Sequence, residues 1–217
     1  MLTHDAWRAA AGLQHGFLDR SDSEGERWEG IVARLAAPFP LALPRQVHGN
    51  RVAEAAVGDR PEADALVVRR PGLLVGVVTA DCVPVLLVDR AARTAAAVHA
   101  GWRGMAAGVL EAALAALSST RVEALIGPAI GGCCYEVGDQ VRAAFQARTG
   151  TVTAAAWTTD AGRAHVDLRT AARLLLETAG ATRVQSLGPC TRCDAHYHSF
   201  RRDGARTGRQ LSFVGWA

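Results

Sequence analysis

Leu73-Leu74-Val75-Gly76-Val77-Val78-Thr79-Ala80-Asp81-Cys82-Val83-Pro84-Val85-Leu86-Leu87-Val88 is the stretch on which the reading of this chain turns. Two continuous apolar runs, Leu73–Val78 and Val85–Val88, flank a short polar interruption. Runs of this length without polar alternation fit strands covered on both faces. Asp81 and Pro84 interrupt the stretch, which is too short to span a bilayer. Pro71-Gly72 reads as the turn before it and Asp89-Arg90 as the turn after it. A third run, Ala95-Ala96-Ala97-Val98, ends at His99, directly before Gly101-Trp102-Arg103-Gly104.

Beyond that glycine turn the period changes. Met105, Val109, Leu110, Ala113, Leu114 and Leu117 fall on one face of a helix. Upstream, Leu13–Leu18 reads as a strand, 24–37 as a helix, and Ala65–Val68 as a short strand. Downstream, Leu125-Ile126 is a strand, and helices are expected over Asp139–Arg148 and Leu168–Ala179. Asp167 stands at the N-cap of the last of these and Gly180 at its end. Residues 211–216 read as a closing strand. Strands and helices mix without a regular βαβ beat, so the expected fold is α+β with mixed sheets covered by helices. With no internal repeat, low-complexity tract or linker, residues 1–217 are read as one domain.

The chain has 217 residues, 49% hydrophobic and 21% charged, the balance of a globular protein rather than a disordered one. Its net charge is +3, every basic residue is Arg, and so small an excess does not argue for nucleic acid. No signal peptide is read at Met1–Asp5. A soluble, cytoplasmic protein with no membrane or nucleic-acid partner is expected, and a monomer. The 5 cysteines cannot all pair within one chain. In a reducing compartment they are expected to be metal-binding, catalytic or core.

His48, Cys82 and His99 stand out because each sits where an extended apolar segment ends, a rigid place from which side chains converge. Two imidazoles and a thiolate suit zinc and leave a fourth position open, the mark of a catalytic site. The alternative is a small buried thiol and two hydrogen-bonded histidines, and spacing alone favours that one. Cys190-Thr191-Arg192-Cys193, followed by His196 and His198, is half of a structural zinc motif. The histidines crowd too close behind it, so no second zinc is expected there. Gly131-Gly132-Cys133-Cys134 reads either as a close backbone approach to a ligand, with N–H groups for an anion, or as a tight turn with buried thiols. Arg201-Arg202-Asp203-Gly204 with Arg206 and Arg209 offers guanidinium forks to an anion, or a solvated charge run.

Laid side by side, these segments resemble the YfiH-like family, long labelled laccase-domain or polyphenol oxidoreductase proteins and now regarded as purine nucleoside phosphorylases. The resemblance rests on Arg45-Gln46-Val47-His48-Gly49, Ala63-Asp64-Ala65-Leu66, Thr79-Ala80-Asp81-Cys82-Val83-Pro84 and His99-Ala100-Gly101-Trp102-Arg103-Gly104. Ile126-Gly127-Pro128, Cys133-Cys134-Tyr135-Glu136-Val137-Gly138, Arg201-Arg202-Asp203-Gly204 and Thr207-Gly208-Arg209 continue it in family order. Gly131-Gly132 departs from the family's usual Gly-Pro, and the helix after Asp167 lacks an Asn often found there.

The resemblance implies a layered α+β fold and a single zinc on His48, Cys82 and His99, with copper less favoured. It implies phosphorolysis of adenosine, inosine and methylthioadenosine, with adenosine deaminase activity, so the partners are a purine nucleoside and inorganic phosphate. On that footing Cys82 is central to catalysis, and Arg45, Arg103 and Arg202 are candidates to hold the anion. Asp81 is the candidate for proton transfer, and Cys134 and Tyr135 are expected to touch substrate. Two other classes stay open: a cysteine hydrolase using Cys82 with His99, for instance on a cell-wall precursor peptide, and a non-catalytic zinc-stabilised binding module. A copper laccase is disfavoured, since 7 histidines are too few for a multicopper set.

Overall fold

The computed structural model describes residues 1–22, 27–35, 39–149 and 153–217. The first half runs α1 (Asp5–Arg8), β1 (Leu13–Phe17), α2 (Trp28–Leu35), β2 (Leu41–Ala42), β3 (Val52–Glu54), β4 (Ala65–Val68), β5 (Leu73–Thr79), β6 (Val83–Asp89) and β7 (Thr94–Ala100). It continues through α3 (Trp102–Ala107), α4 (Val109–Leu117), β8 (Glu123–Ile126), α5 (Asp139–Thr149), β9 (Trp157–Asp160) and β10 (Arg163–Val166). The chain closes with α6 (Leu168–Thr178), β11 (Arg183–Ser186), α7 (Phe200–Asp203) and β12 (Gln210–Trp216).

The strands form a six-stranded sheet in the order β11-β8-β6-β7-β4-β3, a four-stranded sheet in the order β1-β12-β5-β2, and the β9–β10 hairpin. Both larger sheets are mixed, with parallel pairs at β2–β5, β3–β4 and β8–β11. The apolar runs are continuous because both faces of each are covered. In β6, Val83, Val85 and Leu87 point to α4 and α6, meeting Leu110, Leu114 and Leu175. Leu86 and Val88 point the other way, into a second core with Val75 and Val77 of β5 and Trp216 of β12. Leu74, Leu211 and Phe213, on the far face of the four-stranded sheet, bury against Ile31 and Val32 of α2. The result is a layered α+β fold of helices, sheet, sheet and helix, with period-2 side chains feeding two cores.

Three readings from sequence change in detail. The helix expected as one piece after Met105 is two, because Gly108 turns left-handed (φ 91°) between α3 and α4. That left-handed backbone favours glycine, and a β-carbon there would also push the Arg148 guanidinium, 2.5 Å away, aside. Of the helix expected over 24–37, α2 covers Trp28–Leu35, Arg27 precedes it outside the helix, and 24–26 and 36–37 lie outside the described residues. Short strands β2, β3, β9, β10 and β11 carry no strand signal in the sequence, since they are two to four residues long, and β9 and β11 are largely exposed. The N-cap is as read: Asp167 Oδ1 accepts from Arg169 N at 3.0 Å and Thr170 N at 3.3 Å. Among the described residues, no helix is long and apolar enough to cross a membrane.

Candidate metal centre and cleft

The antiparallel β6–β7 ladder pairs Val83 with Ala100 and Pro84 with His99. Cys82, one residue before β6, therefore lies beside Gly101, one residue after β7. A β-carbon on Gly101 would stand 3.2 Å from Cys82 Sγ and 3.1 Å from His48 Cδ2, so glycine here leaves room for two converging side chains. His48 arrives from the loop after β2 with a left-handed backbone (φ 61°). Its Nε2 lies 4.0 Å from Cys82 Sγ, and its ring stands edge-on to His99 with centroids 4.8 Å apart. The ligand atoms of His48, Cys82 and His99 all lie within 4.8 Å of one another.

Asp64, fully buried before β4, organises this group. Its Oδ1 is 2.7 Å from His99 Nδ1 and accepts from His48 N at 2.9 Å, while its Oδ2 accepts from Gly49 N at 2.7 Å and Val47 N at 3.2 Å. One carboxylate thus orients the His99 ring, leaving Nε2 free to face Cys82, and closes the turn that presents His48. A carboxylate behind a metal-binding imidazole is the usual supporting arrangement. Burial alone would raise the Cys82 thiol, but hydrogen bonds and charge from His48 and His99 outweigh it and bring the group down to about 6. Burial would lower His99, yet Asp64 and Cys82 hold it up, to about 9. A thiolate between two imidazoles in a fixed shell is a soft N/S donor set, and its 4.0 Å sulfur–nitrogen span is one that zinc bonds of about 2.3 and 2.1 Å can bridge.

A cleft of about 690 Å³ opens beside these three side chains. Arg45, Arg60, Arg103, Arg201 and Arg209 line it, with Trp102, Tyr135 and Phe200 as flat apolar surface. Arg103 lies over the Trp102 ring (4.3 Å) and Arg201 over Tyr135 (5.0 Å), which holds both guanidinium groups in place on the wall. Burial pushes Tyr135 up to about 12, so it keeps its proton as a hydrogen-bond donor.

Several expected residues take other places. Arg202 is not on the cleft. Its guanidinium donates to the carbonyls of Thr191 and Tyr197 at 2.9 and 2.7 Å and to Asp203, so it stitches the loop, and Arg201 and Arg209 from the same loop reach the cleft instead. Arg45 lines the cleft but pairs with Glu62. Asp81 lines it too, with both oxygens engaged: Oδ1 accepts from Thr191 Oγ1 at 2.7 Å and Oδ2 from Arg201 N at 2.6 Å. That geometry ties Asp81 into the wall through both carboxylate oxygens. Cys134 lies outside the cleft lining, in a group with Cys133, Cys190 and Cys193. Asp64, Arg60 and Phe200 were missed as site residues. Only Asp64 left a signal, a single carboxylate set into an apolar strand start.

Residues 12–217 match the family model described as multi-copper polyphenol oxidoreductase laccase. The chain belongs to this family. Within the laccase-domain family it is 38% identical over 208 residues to a Deinococcus radiodurans protein named purine nucleoside phosphorylase, covering 91% of this chain and 80% of that one. It is 39% identical over 194 residues to a protein from an unknown prokaryotic organism named adenosine deaminase RL5, covering 80% and 74%. The crystal structure of the Neisseria meningitidis protein NMB0706 superposes with a TM-score of 0.81 at 35% identity, covering 95% of this chain and 90% of that one. The layered α+β fold is thus that of the laccase-domain family.

Proposed function

We propose that this laccase-domain protein is a zinc-dependent purine nucleoside phosphorylase acting on adenosine, inosine and methylthioadenosine, with adenosine deaminase activity at the same centre. The observation that carries the reading is the Asp64-supported His48–Cys82–His99 group opening onto an arginine-lined cleft. The names of the relatives at 38–39% identity point the same way.

In phosphorolysis a phosphate oxygen bonds to the ribose carbon as the bond to the purine nitrogen breaks, and the leaving base takes up a proton. Arg103, Arg201 and Arg209 present guanidinium groups to the phosphate, where charge is concentrated at the moment of displacement. Trp102, Tyr135 and Phe200 give the base an apolar wall, and the Tyr135 hydroxyl offers it a hydrogen bond. Asp81, through Arg201 N and Thr191, holds the arginine loop at working distance. Asp64 fixes the His99 ring and the His48 turn. A zinc ion on His48, Cys82 and His99 would supply Lewis-acid and water-activating chemistry, which deamination needs.

One further reading has an observation behind it. Asp64, His99 and Cys82 also form the carboxylate–imidazole–thiol chain of a cysteine hydrolase. The second imidazole, His48, set against the same sulfur favours a metal. A binding module without catalysis predicts no cleft at the metal group, and the cleft is there. Incubating zinc-loaded protein with adenosine, with and without inorganic phosphate, tests the proposal. Adenine release that requires phosphate, inosine formation that does not, and loss of both in Cys82→Ala are expected. Turnover of peptides by Cys82 in metal-free protein would move the assignment to the hydrolase.

A further inference from the structure

We propose a second metal site in this protein, a four-cysteine zinc centre built by Cys133, Cys134, Cys190 and Cys193, separate from the His48–Cys82–His99 group. The four sulfur atoms all lie within 4.8 Å of one another. Cys133 and Cys134 are 3.7 Å apart, Cys133 and Cys193 3.8 Å, and Cys134 and Cys193 3.3 Å. A tetrahedron with zinc–sulfur bonds of about 2.3 Å has sulfur–sulfur edges of about 3.8 Å. Disulfide sulfurs stand at about 2.0 Å, so these separations are those of co-ligands rather than of a bonded pair. All five cysteines of the chain are free thiols.

The backbone around the sulfurs is shaped for thiolates. The buried Cys190 Sγ receives the Gly131 N–H at 3.2 Å. An amide N–H aimed at a buried sulfur fits a charged acceptor, since a neutral thiol accepts weakly. The Arg192 side chain lies close enough to Cys134 to interact with its charge, placing a positive group near a centre that carries net negative charge when four thiolates hold one divalent ion. The exclusion drawn from spacing looked for the missing ligands downstream, at His196 and His198. His196 is instead exposed on Asp194. The fold supplies the missing pair from the turn after β8, through a parallel bridge of Ala129 with Cys190 and the bond from Thr191 N to Ala129 O at 3.1 Å. Four thiolates with every position filled make a closed, structural site.

Its place in the molecule gives it work. One half of the centre adjoins Tyr135 on the cleft wall, and the other adjoins Thr191, whose hydroxyl holds Asp81 at 2.7 Å next to Cys82. The ion would clamp these two loops together and so set one wall of the cleft.

The test is zinc content and zinc K-edge absorption on full-length protein, reconstituted with zinc and desalted. Wild type is expected to hold two equivalents and Cys193→Ser one. Cys82→Ala, which removes the first group, is expected to keep one equivalent, surrounded by four sulfurs at about 2.3 Å. In that variant the four thiols should resist alkylation until a chelator is added, then take up four labels. Zinc-free Cys82→Ala with openly reactive thiols, a mass showing a disulfide among the four, or a residual zinc with nitrogen ligands would each overturn the proposal. Should Cys82→Ala fail to fold, His48→Ala serves for the same count. Failure here leaves nucleoside turnover at the first group untouched, because that assay reads Cys82 and phosphate.

Discussion

Replacing Asp64 with Asn changes one atom and should disable the centre. The carboxylate accepts four donors, two on each oxygen: His48 N and His99 Nδ1 on Oδ1, and Val47 N and Gly49 N on Oδ2. An amide has one acceptor oxygen, so whichever way it turns, its NH₂ faces two donors with nothing to offer them. Two hydrogen bonds to a charged acceptor are lost, at about 1.5–3 kcal/mol each, or roughly 3–6 kcal/mol together. At a fully buried position water does not replace them. Part of the loss falls on stability and part on the orientation of His48 and His99. Loss of such a support typically weakens metal binding about 10–100-fold. Competition with a chromophoric chelator, on protein whose circular dichroism shows it folded, reads the affinity, and thermal melting reads the remainder. Wild-type zinc affinity and an unchanged melting temperature in Asp64→Asn would refute the role given to this carboxylate.

Gly101→Ala puts a methyl group 3.1–3.2 Å from His48 and Cys82, so zinc affinity at that group should drop on the order of tenfold with little loss of fold, measured by the same competition. Arg103→Ala should lower kcat/KM for phosphorolysis roughly 100-fold and leave deamination nearly unchanged, because only the first reaction has a phosphate to hold. Equal losses in both would remove Arg103 from the anion site. His15, buried in β1 and lowered to about 4 chiefly by burial, stays neutral in the fold while the unfolded chain protonates near 6.5. Above pH 6.5 it adds no pH dependence. Between about 6.5 and 4 the unfolded state binds the extra proton, so stability falls as pH falls, by roughly 3 kcal/mol across the window. Denaturant melts of His15→Gln should be flatter over that range than those of wild type.

The apolar strands were legible because two-sided burial leaves no polar alternation to mislead: Leu73–Val78 and Ala95–Val98 are strands where the pattern put them. His48, Cys82 and His99 were legible as strand-end polar residues, though spacing alone favoured the ordinary reading of them. The family motifs favoured the metal-binding one of the two readings, and the three side chains do converge. Asp64 was not legible as their support, because what makes it so is a turn that folds back on it. Arg202 was chosen over Arg201 and Arg209 because composition gives a loop its charge and not the direction of each side chain. The cysteine group was invisible for a different reason. Its halves are joined by the Ala129–Cys190 bridge beyond β8, a contact between distant segments that no local spacing rule contains. Gly108 did carry its signal, a glycine inside a helical pattern, and the helix breaks there.

Phosphorus NMR of zinc-loaded protein with adenosine and inorganic phosphate tests the central claim most directly, since it sees the bond that the proposed reaction forms. Ribose 1-phosphate should appear in equal amount with the free bases, adenine plus any hypoxanthine formed through inosine, and Cys82→Ala should give none of them. Adenine released with free ribose and no new phosphate ester, or undiminished turnover in Cys82→Ala, would contradict the account.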